Sequence, residues 1–178
     1  NPDYVRSNFC GSCHQKTFKE WKATNVEDTC QDCHMPRKKG RLTQKAGFNL
    51  LHKKRWVGDH RFLHGEIKEK DVVMESGWEE NFFIISLKNQ TIPHFVPTAD
   101  NGDPRLYLYI KFFNEAGEEV DNAKEIIAPQ QETALPYNKK MRYRYRLFDK
   151  IIKAEVELKY QPAWSKEKST VRTETVLR

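Results

Sequence analysis

The sequence predicts a mixed architecture: a small segment of loops and short helices over residues 1–75, followed by an antiparallel β-sandwich of immunoglobulin-like type over residues 76–178. Three observations lead there. All the cysteines (Cys10, Cys13, Cys30, Cys33) and every histidine but one (His14, His34, His52, His60, His64) fall in the first segment, with His94 alone beyond it. Apolar residues in that segment are sparse and irregularly spaced, so little there builds a core unaided. From Val72 onward the pattern becomes short alternating runs separated by turn residues, as the strands of an antiparallel sheet read.

A chain of 178 residues holds one ordinary domain or two small ones. Aromatic residues make up 12%, too many for a disordered chain despite 31% charged residues. No apolar run approaches the roughly 18 to 20 residues of a membrane helix, so no membrane span is expected. The chain opens at Asn1 instead of Met, which reads as a processed start lacking its leader peptide. The net charge is +6, but Lys38, Lys39, Arg41, Lys53, Lys54, Arg55, Arg142, Arg144 and Arg146 are spread along the chain. A solvated surface is expected of them, and nucleic acid is not expected as a partner.

The clearest strands are 81–88 (NFFIISLK), 106–113 (LYLYIKFF), 140–148 (KMRYRYRLF) and 153–160 (KAEVELKY), with further ones near Val72 and Ile126. Gly117 in NEAGEE supplies a tight hairpin turn after the second run. In the third run Met141, Tyr143, Tyr145 and Leu147 share one face and Arg142, Arg144 and Arg146 the other. If the third and fourth runs pair through a turn at 148–152, those arginines face Glu155 and Glu157. A sandwich of about seven strands results.

The cysteines form two C-x-x-C pairs, Cys10/Cys13 and Cys30/Cys33, each followed directly by histidine. Disulfide bonding within a pair closes only a strained ring and staples nothing distant. The gap between Cys13 and Cys30 suits a zinc ribbon. A tetrahedral thiolate site, however, has no use for a histidine after both pairs, whereas covalent haem attachment needs it. Two cysteines three apart form thioethers to one porphyrin, and the adjacent histidine binds the iron. The residues therefore predict two covalently bound haem c groups with His14 and His34 as proximal ligands. Haem also supplies the apolar surface that the segment lacks. His52, His60, His64 and His94 remain as candidates for the second axial positions. Met35 lies too near its own proximal histidine for that role, and Met74 and Met141 lie in strand-like surroundings.

CHMPR at 33–37, GDHRF at 58–62 and N-x-x-x-P-H-F-x-P-T at 89–98 resemble the closing part of multihaem cytochromes c of the cytochrome c-554 type. There a D-H-x-F histidine follows the last haem sites, and a β-domain brings a G-H-x-F-P-T-G loop after its first strand. The resemblance implies His60 as one distal ligand and His94 as the other, with His52 and His64 in reserve. The chain departs from the pattern at Val26, where W-x-x-S-x-H has its histidine, at Pro93 in place of a glycine, and at Ala99-Asp100 in place of the last glycine.

The function expected is electron transfer by a dihaem cytochrome with bis-histidine iron, a relay or a subunit of a larger multihaem assembly and not an enzyme. Its partners would be other redox proteins or cytochromes, or further copies of itself. The competing expectation is a haem enzyme acting on a small nitrogen compound or peroxide at one open iron. Covalent haem attachment normally takes place outside the bacterial cytoplasm, so a periplasmic or cell-surface location is expected.

Overall fold

The computed structural model describes residues 5–41, 45, 47–59, 66–147 and 150–178. Three short helices open it: α1 (Ser7–Gly11), α2 (Gln15–Lys22) and α3 (Cys30–His34). Two of them carry the cysteine motifs. In α3, Thr29 accepts the Asp32 N–H, and the Asp32 carboxylate takes the Thr29 N–H at 2.8 Å and hydroxyl at 2.7 Å. This reciprocal cap satisfies donors that a five-residue helix would otherwise leave to water. The Cys30 N–H donates to the Ser7 hydroxyl at 3.0 Å and the Gln31 amide to the Arg6 carbonyl at 2.9 Å, tying α3 to α1. Strands β1 (Arg37–Gly40) and β2 (Arg55–Gly58) follow as an antiparallel pair. Among the described residues no helix is long and apolar enough to cross a membrane.

The remaining strands are β3 (Val72–Glu79), β4 (Phe82–Asn89), β5 (Arg105–Phe113), β6 (Glu119–Ile127), β7 (Lys140–Arg146), β8 (Lys153–Gln161) and β9 (Ser169–Leu177). They form two antiparallel sheets, β3-β4-β7 and β6-β5-β8-β9, facing each other as the predicted sandwich. Here β6, the fourth strand, pairs with the third, whereas the constant-type immunoglobulin order places it beside the first sheet. The core is built from alternate residues of both inner faces, among them Phe83, Ile85 and Leu87 from β4 and Leu106, Leu108, Ile110 and Phe112 from β5. Phe83 and Phe112 meet edge to face across the sheets at 5.5 Å, and Trp78 and Tyr145 extend the cluster. Burying each of these phenylalanines contributes about 1.5–3 kcal/mol. The β5–β6 turn is as expected: Gly117 has φ of 78°, and the Asn114 side chain accepts the N–H groups of Ala116 and Glu118.

One expectation is corrected. β7 pairs with β4, in the sheet opposite β8, so its arginines do not face Glu155 and Glu157. The reason lies in the connection between them. Leu147 and Ile151 are buried, and Leu147 N–H bonds to the Asn81 carbonyl while Ile152 N–H bonds to the Phe113 carbonyl, so the two ends of the connection belong to different sheets. Arg142 meets Glu79 at 2.6 Å, the Arg144 guanidinium lies over Phe82 at 3.4 Å, and Glu155 and Glu157 pair with Lys153 and Lys159. The inward face of Met141, Tyr143, Tyr145 and Leu147 is as predicted. The β1–β2 register sets Lys39 against Trp56, its ammonium 5.6 Å from the exposed ring, and Arg37 and Lys38 against Gly58 and Val57.

Candidate cofactor site

Both C-x-x-C-H motifs lie beside a cavity of about 530 Å³ between the helices and the 91–101 loop of the sandwich. That volume falls inside the roughly 300–1,000 Å³ range of sites for cofactor-sized ligands. Cys10, His14, Cys30, Cys33, His34 and His94 all line it, together with apolar Phe18, Trp21, Ile67, Ile92 and Pro97. Cys10 on α1 and Cys30 on α3 are half-buried, whereas Cys13 and Cys33 are exposed. Burial, followed by the neighbouring Cys30, pushes the Cys10 thiol up; burial, followed by Asp28 and Asp32, does the same for Cys33. Gly11 makes the first motif compact: a Cβ there would stand 2.6 Å from the Phe18 ring.

His94 is held by the sandwich. β4 ends at Asn89, which is fully buried with its side chain satisfied by the loop that follows. The Asn89 amide donates to the carbonyls of Ile92 at 2.9 Å and His94 at 2.7 Å, and its oxygen accepts the Ile92 N–H at 3.2 Å. The next residues are bound on both sides. Val96 and Leu135 exchange backbone bonds, and Glu20 of α2 accepts from Phe95 N–H at 3.2 Å and the Thr98 hydroxyl at 2.8 Å. Nδ1 of His94 lies 2.8 Å from the Phe95 carbonyl. A carbonyl only accepts, so Nδ1 carries the proton and Nε2 keeps its lone pair. Burial holds the His94 pKa below its usual value, with the Phe95 bond opposing, so the ring is neutral at pH 7.

The His34 and His94 rings lie close together at the cavity, with centroids 6.2 Å apart and planes 19° from parallel. A metal–imidazole bond is about 2 Å and a ring centroid lies about 1 Å from its nitrogens, so two imidazoles on opposite sides of one metal ion sit about 6 Å apart. The separation matches that distance, so His34 and His94 are the pair that could share a haem iron, with Cys30 and Cys33 lining the same cavity. Among the described residues no three His, Cys, Asp or Glu side chains are arranged to hold one metal ion, so the four thiols do not converge as a zinc ribbon requires.

His14 occupies the N-cap position of α2 and is half exposed. Its Nδ1 stands 3.7 Å from a carboxylate oxygen of Asp100, which also accepts the N–H groups of Lys16 and Thr17 and the Thr17 hydroxyl. Burial pushes the Asp100 carboxyl up, but the Lys16 and Thr17 bonds and His14 outweigh it and leave it below its usual range. His52 is exposed, just past the turn at Phe48–Leu51, and does not line the cavity. His60 and His64 lie outside the described residues; β2 ends beside Asp59, which is buried and paired with Lys38 at 2.9 Å. Met74 and Met141 sit in the sandwich, as their strand-like surroundings imply. Asn89, Glu20 and Asp100 received no role from the sequence. Asn89 carried a signal, as an amide directly after an apolar strand run; Glu20 and Asp100 carried none, because their partners are far along the chain.

No protein-family model matches the chain, and no curated protein matches it. Among solved structures it is similar to a penta-heme cytochrome c552 from Thermochromatium tepidum, with a TM-score of 0.62 and 17% identity. The match covers 97% of this chain and 56% of that one, so the chain spans little more than half of that protein's length. At this identity the likeness is one of fold, and it takes in the helical segment and the sandwich together.

Proposed function

We propose that the chain is a dihaem segment of a multihaem c-type cytochrome and carries electrons. The observation that carries this reading is the His34–His94 pair, 6.2 Å between ring centroids, at the cavity that Cys30 and Cys33 also line. The fold shared with a penta-heme cytochrome supports it. Bound haem supplies a one-electron iron couple, at low potential when both axial ligands are imidazole. The residues present have separate tasks. Cys30 and Cys33 hold one haem as thioethers, with His34 and His94 as its axial ligands. Asn89 and the Phe95 carbonyl fix the His94 ring and its tautomer, as partners of ligating histidines do. Cys10, Cys13 and His14 hold the second haem, with His60 as its other ligand by resemblance and His52 and His64 in reserve. The closeness of the Cys10 and Cys30 thiols supports two neighbouring sites, with electrons passing between them within the chain.

This is a relay and not an enzyme in our reading, working outside the cytoplasm with other redox proteins or as part of a larger cytochrome assembly. Intact mass under denaturing conditions is expected to show two haem masses above the polypeptide, and His94→Ala should turn one low-spin haem high-spin while the other is unchanged. A chain that binds zinc and shows no Soret band would overturn the reading. A spectral change on adding cyanide or nitrite to the unaltered protein would instead mark an open iron and favour an enzyme.

A further inference from the structure

We infer that Asp100 is a positioning residue for His14, orienting the imidazole through charge and setting the redox potential of the haem it binds apart from that of its neighbour. The inference rests on the haem reading above. α2 begins without a cap of its own: His14 makes no side-chain cap bond, and the first turn has no acidic residue. Asp100, 84 residues from Lys16, supplies the missing acceptor from the sandwich loop. One carboxylate oxygen takes the Lys16 N–H at 2.8 Å, and the other takes the Thr17 hydroxyl at 2.8 Å and the Thr17 N–H at 3.4 Å. The carboxylate is thereby fixed before it meets His14. Its side chain is 12% exposed against 52% for His14, and a Thr98–Thr17 hydroxyl bond of 3.1 Å together with Glu20 holds its loop to the same helix.

The second oxygen stands 3.7 Å from Nδ1 of His14. A carboxylate facing Nδ1 favours the tautomer with its proton there and leaves Nε2 as the donor for iron. Negative charge behind the ligand also favours the oxidised iron, which carries one more positive charge than the reduced iron. His94 differs in kind, since its Nδ1 meets the neutral carbonyl of Phe95. Two chemically alike imidazoles are therefore backed by different groups. The His14 centre takes the lower potential, which gives the electron a direction of travel from it toward the His34 centre.

The test is a redox titration of the haem-loaded protein with Asp100→Asn, Asp100→Glu and, as a through-space control, Asp103→Asn. Asp103 is paired with Arg105 and lies outside the cavity lining. Asp100→Asn is expected to shift only the lower midpoint upward, by a roughly tenfold change in the oxidised-to-reduced ratio, or about 59 mV for a one-electron couple. The low-spin EPR g values of that centre alone should change with it. Asp100→Glu should restore much of the shift, and Asp103→Asn should move neither midpoint. If Asp100→Asn lowers the melting temperature but leaves both midpoints and all g values in place, Asp100 is only a helix cap and the inference fails. Thr17→Val keeps the charge and loses the hydroxyl's bonds to Asp100 and Thr98, so it should destabilise the chain with little change in midpoint. An equal shift from Asp103→Asn would also sink the inference. A chain without covalent haem would defeat the functional reading itself, a separate outcome visible before any titration.

Discussion

At the scale of single residues, side chains on the sandwich do work that their immediate neighbours in sequence do not announce. Tyr143 is part of the inward face of β7, and burial, followed by the charge of Glu125, pushes its hydroxyl up to about 12. The folded chain therefore keeps a proton that the unfolded chain releases near the usual value of about 10. Stability from this group is full below pH 10 and is lost as pH rises toward 12. Tyr143→Phe is expected to make the alkaline decline shallower while changing little below it, with Tyr145 retaining its own contribution because burial raises it too. Denaturant titrations in steps across that pH range measure it, and an unchanged slope would show that Tyr143 titrates alike in both states. The cysteines, His14 and His34 are the opposite case. Their spacing alone announces the chemistry proposed for them, since each C-x-x-C-H motif offers two thiols and an imidazole within five consecutive residues.

Among the elements, alternation identified β4, β5, β7 and β8 and their inward faces, because a strand with one buried face must alternate. β9 was not read: STVRTETVL buries only Val171, as a strand at the sheet edge with a register shift beside it. The partner of β7 was not legible either, since pairing depends on where the connecting residues are buried. The energetic contrast between faces is testable. Leu108 is fully buried in β5, so Leu108→Ala is expected to cost about 2–5 kcal/mol by loss of contacts and the cavity left behind. Glu79→Ala removes an ion pair with Arg142 in which both side chains are more than half exposed, and is expected to cost at most about 1 kcal/mol. Denaturant midpoints at constant m value compare the two. Equal losses would mean that the β5–β4 interface is not the core described.

For the whole molecule, the core belongs to the sandwich and the short helices depend on it. Every residue of the core cluster lies between Ile67 and Val171. The helices are five, eight and five residues long, well under the roughly 12–15 at which isolated helices become even marginal in water. α2 takes its cap from Asp100 and its side-chain anchor from the 95–98 backbone and Thr98. A chain of residues 66–178 is therefore expected to unfold in one cooperative step, and a haem-free chain of residues 1–71 to show no such step by circular dichroism. A cooperative transition in the shorter chain would mean that the helices hold together through contacts of their own.

The sequence by itself determined the haem-attachment chemistry it implies and the two-part layout, because both rest on short-range regularities: five-residue spacing in one case, a period of two in the other. It also offered, through resemblance, His94 as a candidate iron ligand beyond the first segment. Only the tertiary structure decided that His94 lies close to His34, that Asn89 and Glu20 hold the loop between them, and that Asp100 stands behind His14. The same holds for β7, which crosses to β4 because Leu147 and Ile151 are buried where a hairpin would have exposed them. These are contacts between residues tens of positions apart, and each forms only when the packing of both sheets has set where the loops can lie.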